Sequence, residues 1–426
     1  MTNRLTRSTA LATLLALSGG ALSAQELSVL IDNNAATQAA FDALIAAYTE
    51  QNPDVSFDIE LRPGGGEGDN IVKTRLATGE MADIFSYNSG SLFQALRPDR
   101  TLVAIGDLPN VAALNESFLQ TVMDGEGNVY GVPYEAAMGG GILYHVPTYE
   151  ELGLEVPTTW EEFMANNAVI AEQTDKAPVI QTYRDTWTSQ LFVLADYFNV
   201  QAANPDFAEQ YTANQAHYAD TPAAQAGFQR LQEVYEAGYL NEDFGAASFD
   251  DGLRMVATGE GVHYPMLTFS LGSIQQNNPD LIDDVGFFAQ PGDSADSNGL
   301  TIWLPAAVYI PQSSDNIDAA KDFLNFVASP EGCAAIVAAN GATGPMLVPN
   351  CDLPEDVPTA VSDMLPYFER EGGTAPALEF LSPVKGPALE QLTVEVGSGI
   401  RDAASAAELY DQDVAKQARQ LGLEGW

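Results

Sequence analysis

Basic residues, histidine and cysteine are scarce in this sequence. Its 426 residues include 17 lysines and arginines against 59 aspartates and glutamates, which gives a formal net charge of -42. This charge argues against binding to nucleic acid or to an anionic membrane, because both are themselves negatively charged. The three histidines, His145, His217 and His263, are isolated, and no serine elbow or metal motif accompanies them. We therefore expect no catalytic residues, no metal site and no cofactor.

Cysteine occurs only at positions 333 and 351. In an oxidising compartment a disulfide between Cys333 and Cys351 is the natural interpretation. Closing a loop of this size contributes roughly 3 kcal/mol in the chain-entropy model. Two isolated buried thiols are the alternative. Metal binding is disfavoured because no histidine or second cysteine pair lies at ligand spacing.

Long apolar runs are confined to the N-terminus. Arg4 and Arg7 precede the apolar run 11–17, and small residues follow at positions 21, 23 and 24, which is the pattern of a secretory signal peptide. No later stretch is long and apolar enough to span a bilayer. We expect residues 1–24 to be removed and the mature protein to be exported and soluble.

The stretch after residue 25 alternates strand and helix patterns. An apolar strand at 27–31 is followed by Phe41, Leu44, Ile45 and Tyr48 on one helix face, and apolar residues then alternate with polar ones at 55–61. This order favours an α/β fold with a parallel sheet, whose ligands bind beyond the carboxyl ends of the strands.

The glycines at 64–68 invite comparison with a phosphate-binding loop. They lack the Gly-Lys-Ser/Thr ending that would reach nucleotide phosphates and metal. We expect instead a flexible loop that leads into a helix at 69–78, stopped by Gly79.

Residues 128–163 carry the most specific local pattern. It contains Tyr-Gly-Val-Pro at 130–133, a glycine-rich strand at 138–145, Glu-Leu-Gly-Leu at 151–154 and Pro-Thr-Thr-Trp-Glu-Glu at 157–162. Thr159 and Glu162 are spaced as a capping box, which predicts a helix that begins at Trp160.

In this order and spacing the pieces resemble the extracellular solute-binding proteins of ABC importers, family 1, in the sugar-binding subgroup. Matching helix and strand patterns at 249–266 and 318–331 extend the resemblance over nearly the whole mature chain. The resemblance implies a two-lobed periplasmic-binding-protein fold of the α/β class. Each lobe would be a mostly parallel sheet flanked by helices, and three chain crossings would form a hinge.

The resemblance also implies where the lobes and the hinge lie. We expect the first lobe to comprise residues 25–132 and 266–308, and the second lobe 133–265 and 309–426. The three expected hinge strands are Val132–Glu135, Tyr264–Met266 and Ala307–Pro311.

The function implied is that of the periplasmic binding component of an ABC sugar importer. It would capture a mono- or disaccharide or small glycoside between two lobes by hinge closure, and deliver it to the membrane permease, acting as a monomer. A polyamine or other cationic solute is an alternative ligand, suggested by the acidic composition. A secreted glycan-cleaving enzyme is a different class, for which two well-spaced carboxylates would suffice.

A sugar site needs planar aromatic rings for the CH faces and polar side chains for the hydroxyl edge. Trp187 and Trp303 are each expected either to stack on the ligand or to fill the core. Glu135 and Tyr183 are each expected either to contact the ligand or to be structural residues of the hinge. Met266 stands where the family often places an aromatic contact. The candidate ligand-binding residues are Asn34, Glu67, Tyr87, Asn88, Ser89, Glu135, Met138, Tyr183, Arg184, Trp187, Met266, Thr268 and Trp303.

Overall fold

The computed structural model describes residues 25–351 and 353–426, so the expected signal peptide at 1–24 lies outside the described residues. In chain order the strands are β1 (Gln25–Asp32), β2 (Val55–Arg62), β3 (Ile84–Tyr87), β4 (Val132–Pro133), β5 (Met138–His145), β6 (Ala177–Val179), β7 (Gly261–Leu267), β8 (Val285–Ala289), β9 (Leu300–Trp303), β10 (Ala307–Tyr309) and β11 (Thr374–Pro376).

The helices alternate with these strands along the chain. They are α1 (Ala35–Gln51), α2 (Gly65–Thr78), α3 (Ser91–Ala95), α4 (Pro98–Thr101), α5 (Glu116–Leu119), α6 (Val146–Leu152), α7 (Trp160–Gln173), α8 (Leu191–Leu194), α9 (Tyr197–Ala203), α10 (Phe207–Thr212), α11 (Pro222–Glu236), α12 (Phe249–Thr258), α13 (Ser270–Asn277), α14 (Ile317–Val327), α15 (Pro330–Asn340), α16 (Thr359–Glu369), α17 (Leu378–Leu381), α18 (Leu389–Gly397) and α19 (Ala403–Leu421).

The first sheet has the strand order β2-β1-β3-β10-β4. Strand β1 runs parallel to β2 and β3, whereas β10 is antiparallel to β3 and β4. Helix α1 packs its buried Phe41, Leu44 and Tyr48 into this core, as its spacing predicts. Because β1, β2 and β3 are parallel, the loops after them emerge at one edge of the sheet.

The second sheet has the order β11-β9-β5-β7-β6, and β8 also pairs with β5. Strand β5 is buried throughout and runs antiparallel to β7, β8 and β9, while β6 and β11 each lie parallel to a neighbour. The two-lobed α/β fold is confirmed. The parallel order that the sequence predicts holds for β2-β1-β3, and the pairings around β5 are antiparallel.

The sheets divide the chain differently from the predicted boundaries. Residues 138–303 supply β5 to β9 of the second sheet, and α14 and α15 pack into the core of the first. We use "first lobe" for residues 25–133 and 307–351, and "second lobe" for 138–303 and 359–426. The segment 264–266 lies inside β7 and is no crossing. A buried apolar strand does not reveal by its pattern which sheet it joins.

The chain passes between the lobes at three places. Residues 134–137 join β4 to β5, and residues 304–306 join β9 to β10. The third connection leads from the first lobe, after α15, to α16, which packs against β8 of the second sheet. Two of the crossings touch, since the Glu135 carboxyl group is hydrogen-bonded to the backbone of Ala306. Ala137 also donates its N–H to the carbonyl of Pro345 in the first lobe (2.8 Å).

Three local expectations can be compared with the structure. Cys333 and Cys351 form a disulfide in the first lobe. Helix α7 begins at Trp160, and Thr159 and Glu162 cap each other. Helix α2 begins at Gly65 and not at residue 69, because the glycines form its first turn; Gly79 ends it at φ 72° as predicted.

Candidate functional site

A cavity of about 560 Å³ lies between the two lobes. Its first-lobe wall comes from the loops after β1, β2 and β3, and its second-lobe wall from residues 184–194, 248–250, 267–269 and 379–390. This volume is within the range of pockets for small organic ligands. The cavity therefore lies where the α/β rule places a ligand, beyond the carboxyl ends of parallel strands.

The first-lobe wall is polar. Asn34 caps α1 by accepting the Thr37 N–H at 2.8 Å, and its amide lines the cavity. Asn88 follows β3 and is exposed. Asp69 accepts from the Tyr87 hydroxyl and pairs with Lys73 at 2.5 Å. These side chains offer hydrogen-bonding groups held in place by helix starts and ion pairs.

The floor of the cavity near the hinge contains a buried charged group. Arg62 pairs with Asp32 at 2.8 Å and donates to the carbonyl of Ser86 at 3.0 Å. Glu135 lies at the crossing from β4 to β5. Burial, together with the nearby Asp32 carboxylate, raises the pKa of Glu135 to about 8. Burial also raises the pKa of Asp32, against the effect of Arg62. Asp32 is thus paired with a guanidinium, whereas Glu135 is buried beside Asp32 without a basic partner of its own.

The second-lobe wall carries a cluster of three aromatic rings. Trp187 lies 5.2 Å from Phe249 and 6.1 Å from Phe269 between ring centroids, and the two phenylalanine rings are stacked at 5.8 Å. All three line the cavity. Planar rings of this kind offer the surface that the CH face of a sugar needs.

Trp303 lies in the same wall but is only 5% exposed. Its Nε1–H donates to Glu379 at 2.5 Å, and Glu379 also pairs with Lys385 at 3.1 Å. Its ring covers Gly140, where a Cβ atom would lie 2.2 Å from the indole. The close approach of this tryptophan therefore requires glycine at position 140 in β5.

Eight of the thirteen candidate residues line the cavity. The structure brings together Asn34, Tyr87, Asn88, Glu135, Met138, Arg184, Trp187 and Trp303.

The other five candidates lie outside the cavity wall. Glu67 is exposed on α2, and Ser89 donates to the carbonyl of Pro305 at 2.8 Å. Tyr183 and Met266 are buried in the second lobe, and Thr268 is buried with its hydroxyl accepting from the Gly139 N–H at 3.1 Å. Burial or a hydrogen bond to the backbone accounts for the last four, and Glu67 faces solvent.

Several cavity residues escaped the sequence argument. They include Asp69, Phe249, Phe269, Glu379, Lys385 and Glu390. Phe249 is the first residue of α12, directly after the N-cap Ser248, which forms a capping box with Asp251. This predictable helix start was the signal that could have pointed to Phe249. Glu379 and Glu390 come from the C-terminal helices, whose position at the cleft no local pattern indicates.

The lobes touch across the mouth of the cavity. Glu390 of α18 accepts from the Gly66 N–H at 3.3 Å and from the Thr186 hydroxyl at 2.7 Å. The Trp187 ring lies against Gly65, where a Cβ would be 3.1 Å from Cδ1. Gly90 likewise lies against the Phe380 ring. The described residues thus show the lobes closed over the cavity.

No helix within residues 25–351 and 353–426 has the length and apolarity to cross a membrane. No group of three or more histidine, cysteine, aspartate or glutamate side chains in the same ranges is arranged to hold a metal ion.

Residues 32–332 match the sequence model of a family described as "Bacterial extracellular solute-binding protein". The chain belongs to this family. The family that the sequence resembles is thereby confirmed.

Individual relatives are distant in sequence. The "Multiple sugar-binding protein" of Streptococcus mutans is 23% identical over 290 residues, covering 67% of this chain and 66% of the relative. The chain spans about two thirds or less of the length of the curated relatives that it matches.

Solved structures support the fold. A chitin oligosaccharide binding protein superposes with a TM-score of 0.80 at 17% identity, over 93% of this chain and 100% of the other. The protein RafE in complex with raffinose superposes at 0.75 with 18% identity, over 93% and 99% of the two chains.

Proposed function

We propose that this protein is the periplasmic binding component of an ABC sugar importer. It binds a mono- or disaccharide or a small glycoside in the cavity between the lobes and passes the ligand unchanged to the membrane permease. It acts as a monomer after removal of its signal peptide, and it needs no cofactor and catalyses no reaction.

The observation that carries this proposal is the pairing of two unlike walls across one closed cavity. The aromatic cluster of Trp187, Phe249 and Phe269 faces the amides and carboxylates of the first-lobe loops. Sugars present CH faces and hydroxyl edges, which these two surfaces complement. The relatives' names support the same ligand class, since one is called a sugar-binding protein and one structure holds raffinose.

Closure follows from the same geometry. A ligand that contacts both walls has its full set of contacts only when the lobes are together, so it shifts the population toward the closed state. We propose that the crossings at 134–137 and 304–306 and the connection to α16 form the hinge. The permease then recognises the closed form.

Basic side chains of the protein neutralise part of the negative charge of the cavity wall. Asp32 pairs with Arg62, Asp69 with Lys73 and Glu379 with Lys385. Asp185, Asp250 and Glu390 also line the cavity and form no ion pair among the described residues, so the polyamine alternative is decided by the ligand screen.

The proposal is tested by a thermal-shift screen of the mature protein against neutral sugars, sugar acids, polyols, polyamines and amino acids, with product analysis of every hit. A ligand at a hundredfold excess over its Kd stabilises the native state by about 2.7 kcal/mol. A shift with an intact sugar supports the proposal. A shift with polyamines alone contradicts it, and a consumed sugar identifies an enzyme.

Two asparagine variants test whether the sugar binds at the cavity wall. Asn88→Ala removes an exposed amide of the cavity wall and should reduce the shift caused by the sugar. Asn128→Ala removes an exposed amide elsewhere in the first lobe, where its partner is Asp124, and should leave the shift unchanged. Equal shifts in both variants would contradict the assignment of Asn88.

A further inference from the structure

The cavity contains more aliphatic surface than a free sugar requires. Besides the aromatic rings it is lined by several leucines and a methionine that contact no polar partner through their side chains: Leu92, Met138, Leu191, Leu194, Leu267 and Leu304. Leu92, Leu194, Leu267 and Leu304 are only partly buried, so each retains surface that a ligand can cover.

These side chains form a continuous surface on the second lobe. Leu194, Leu267 and Phe269 pack on a small cluster that contains Met138 and Trp303. The Leu267 side chain and the Trp303 ring both lie over Gly140. We call Met138, Leu194, Leu267, Phe269 and Trp303 the apolar wall. Leu92 and Leu304, which pack on the core of the first lobe, also face the cavity.

The apolar wall cannot satisfy sugar hydroxyl groups. A pyranose carries hydroxyls around most of its edge, and a hydroxyl buried against leucine loses its hydrogen bonds to water without replacement. The Trp303 Nε1–H is already donated to Glu379, so it does not compensate. A sugar can contact this wall only with a CH face, as at the aromatic cluster, whereas an apolar substituent can cover the whole wall without burying a hydroxyl.

We propose that the preferred cargo is a glycoside with an aryl aglycone. The sugar contacts the polar loops of the first lobe, and the aromatic aglycone lies against the apolar wall, where the rings of Phe269 and Trp303 favour an aromatic partner. This inference rests on the proposed function and narrows its ligand class.

The test compares matched ligands that differ only in the aglycone. Methyl and phenyl glycosides of glucose, galactose, mannose and xylose are titrated calorimetrically at two temperatures. For the sugar that binds, the phenyl glycoside should have a Kd at least tenfold lower than the methyl glycoside, equivalent to about 1.4 kcal/mol. Its heat-capacity change should also be more negative, because more apolar surface is buried.

Two variants locate the effect. Leu267→Asn and Leu194→Asn each keep side-chain size but place an amide in the apolar wall, and the phenyl-to-methyl affinity ratio should fall at least threefold in either variant that folds. Leu61→Asn is the control, since Leu61 is 51% exposed and outside the cavity, and it should keep the wild-type ratio.

The outcomes separate this inference from the function on which it rests. If free sugars or methyl glycosides bind and the phenyl group adds nothing, the aglycone proposal is wrong and sugar binding stands. If the phenyl preference survives in both folded wall variants, the apolar wall is not its site. If no sugar or glycoside binds at all, the proposed function fails as well.

Discussion

The two lobes contribute different kinds of surface to one cavity. The first lobe supplies loop residues at strand ends, such as Asn34 and Asn88, together with the Asp69–Lys73 and Asp32–Arg62 ion pairs. The second lobe supplies rings and aliphatic side chains, of which Trp187 and Trp303 are the largest, together with polar groups such as Arg184 and Asp250. The difference teaches that both lobes offer hydrogen-bonding groups to the cavity, whereas the aromatic cluster belongs to the second lobe alone.

The two tryptophans of the second lobe should respond differently to truncation. Trp303 is 5% exposed and packs between Met138 and Gly140, so Trp303→Ala should lower the free energy of unfolding by about 3–5 kcal/mol. Urea denaturation of the ligand-free protein measures this loss. Trp303→Phe is the control, because it keeps most of the ring volume and should lose less. A loss below 1 kcal/mol for the alanine variant would show that the ring is not core.

Trp187 is half-buried and lies between Phe249 and the Gly64–Gly65 turn of the other lobe. Trp187→Ala should raise the Kd for sugar on the order of tenfold, because a ring that closes over the ligand is removed. The measurement is calorimetric titration. Trp426→Ala, at a tryptophan bonded to the Thr212 carbonyl outside the cavity, should bind as the wild type does. An unchanged Kd in Trp187→Ala would show that the aromatic cluster is not part of the binding site.

The comparison of lobes also shows what the sequence could predict. In the first lobe the end of a parallel strand is a local signal that led to Asn34 and Asn88, but it did not show that the neighbouring Ser89 points away from the cavity. In the second lobe alternation decides which neighbour faces the cavity. Met266 and Thr268 were chosen, yet Leu267 and Phe269 line the cavity while the chosen pair is buried. A shift of one residue exchanges the two faces of an extended segment.

Other parts of the site depend on contacts between distant segments. Glu379 and Glu390 reach the cavity only because the C-terminal helices pack on the second lobe and the lobes close. The capping box at Thr159 was predictable, since all its partners lie within four residues. The sequence could not predict that residues 300–311 divide between two sheets, because β9 and β10 are equally apolar strands.

Glu390 joins the lobes and should act on closure more than on folding. The N-cap residue of α2 is Gly64, which has no side chain to cap the helix, and the Glu390 carboxylate from the opposite lobe accepts the Gly66 N–H. Losing such a cap costs about 1 kcal/mol. Glu390→Ala should therefore raise the Kd about fivefold through faster ligand release, measured by stopped-flow fluorescence.

A neighbour on the same helix provides the control for Glu390. Gln391 is exposed on α18 and bonds to Glu395 within that helix, so Gln391→Ala should release ligand at the wild-type rate. If Glu390→Ala slows association and leaves release unchanged, the residue does not hold the closed state.

The smallest effect is expected from the pH dependence of the hinge floor. Burial and the nearby Asp32 raise the pKa of Glu135 to about 8 in the folded protein, above the ordinary glutamate value of 4.5. The folded state therefore holds a proton that the unfolded state releases between these pH values. Stability falls as pH rises through this window and changes no further above it. One pKa unit corresponds to about 1.4 kcal/mol.

Glu135→Gln removes this dependence while keeping the shape of the side chain. At pH 8.5 we expect the free energy of unfolding of the variant to exceed that of the wild type by on the order of 1 kcal/mol, and at pH 4.5 to differ little from it. The difference is small because Glu135 retains some exposure, which screens its charge. Urea denaturation across this range measures the difference, with Glu67→Gln on the exposed face of α2 as the matched control. A gain of equal size at both pH values would mean that packing, and not the deprotonation of Glu135 beside Asp32, limits stability where the polar lobe meets the hinge.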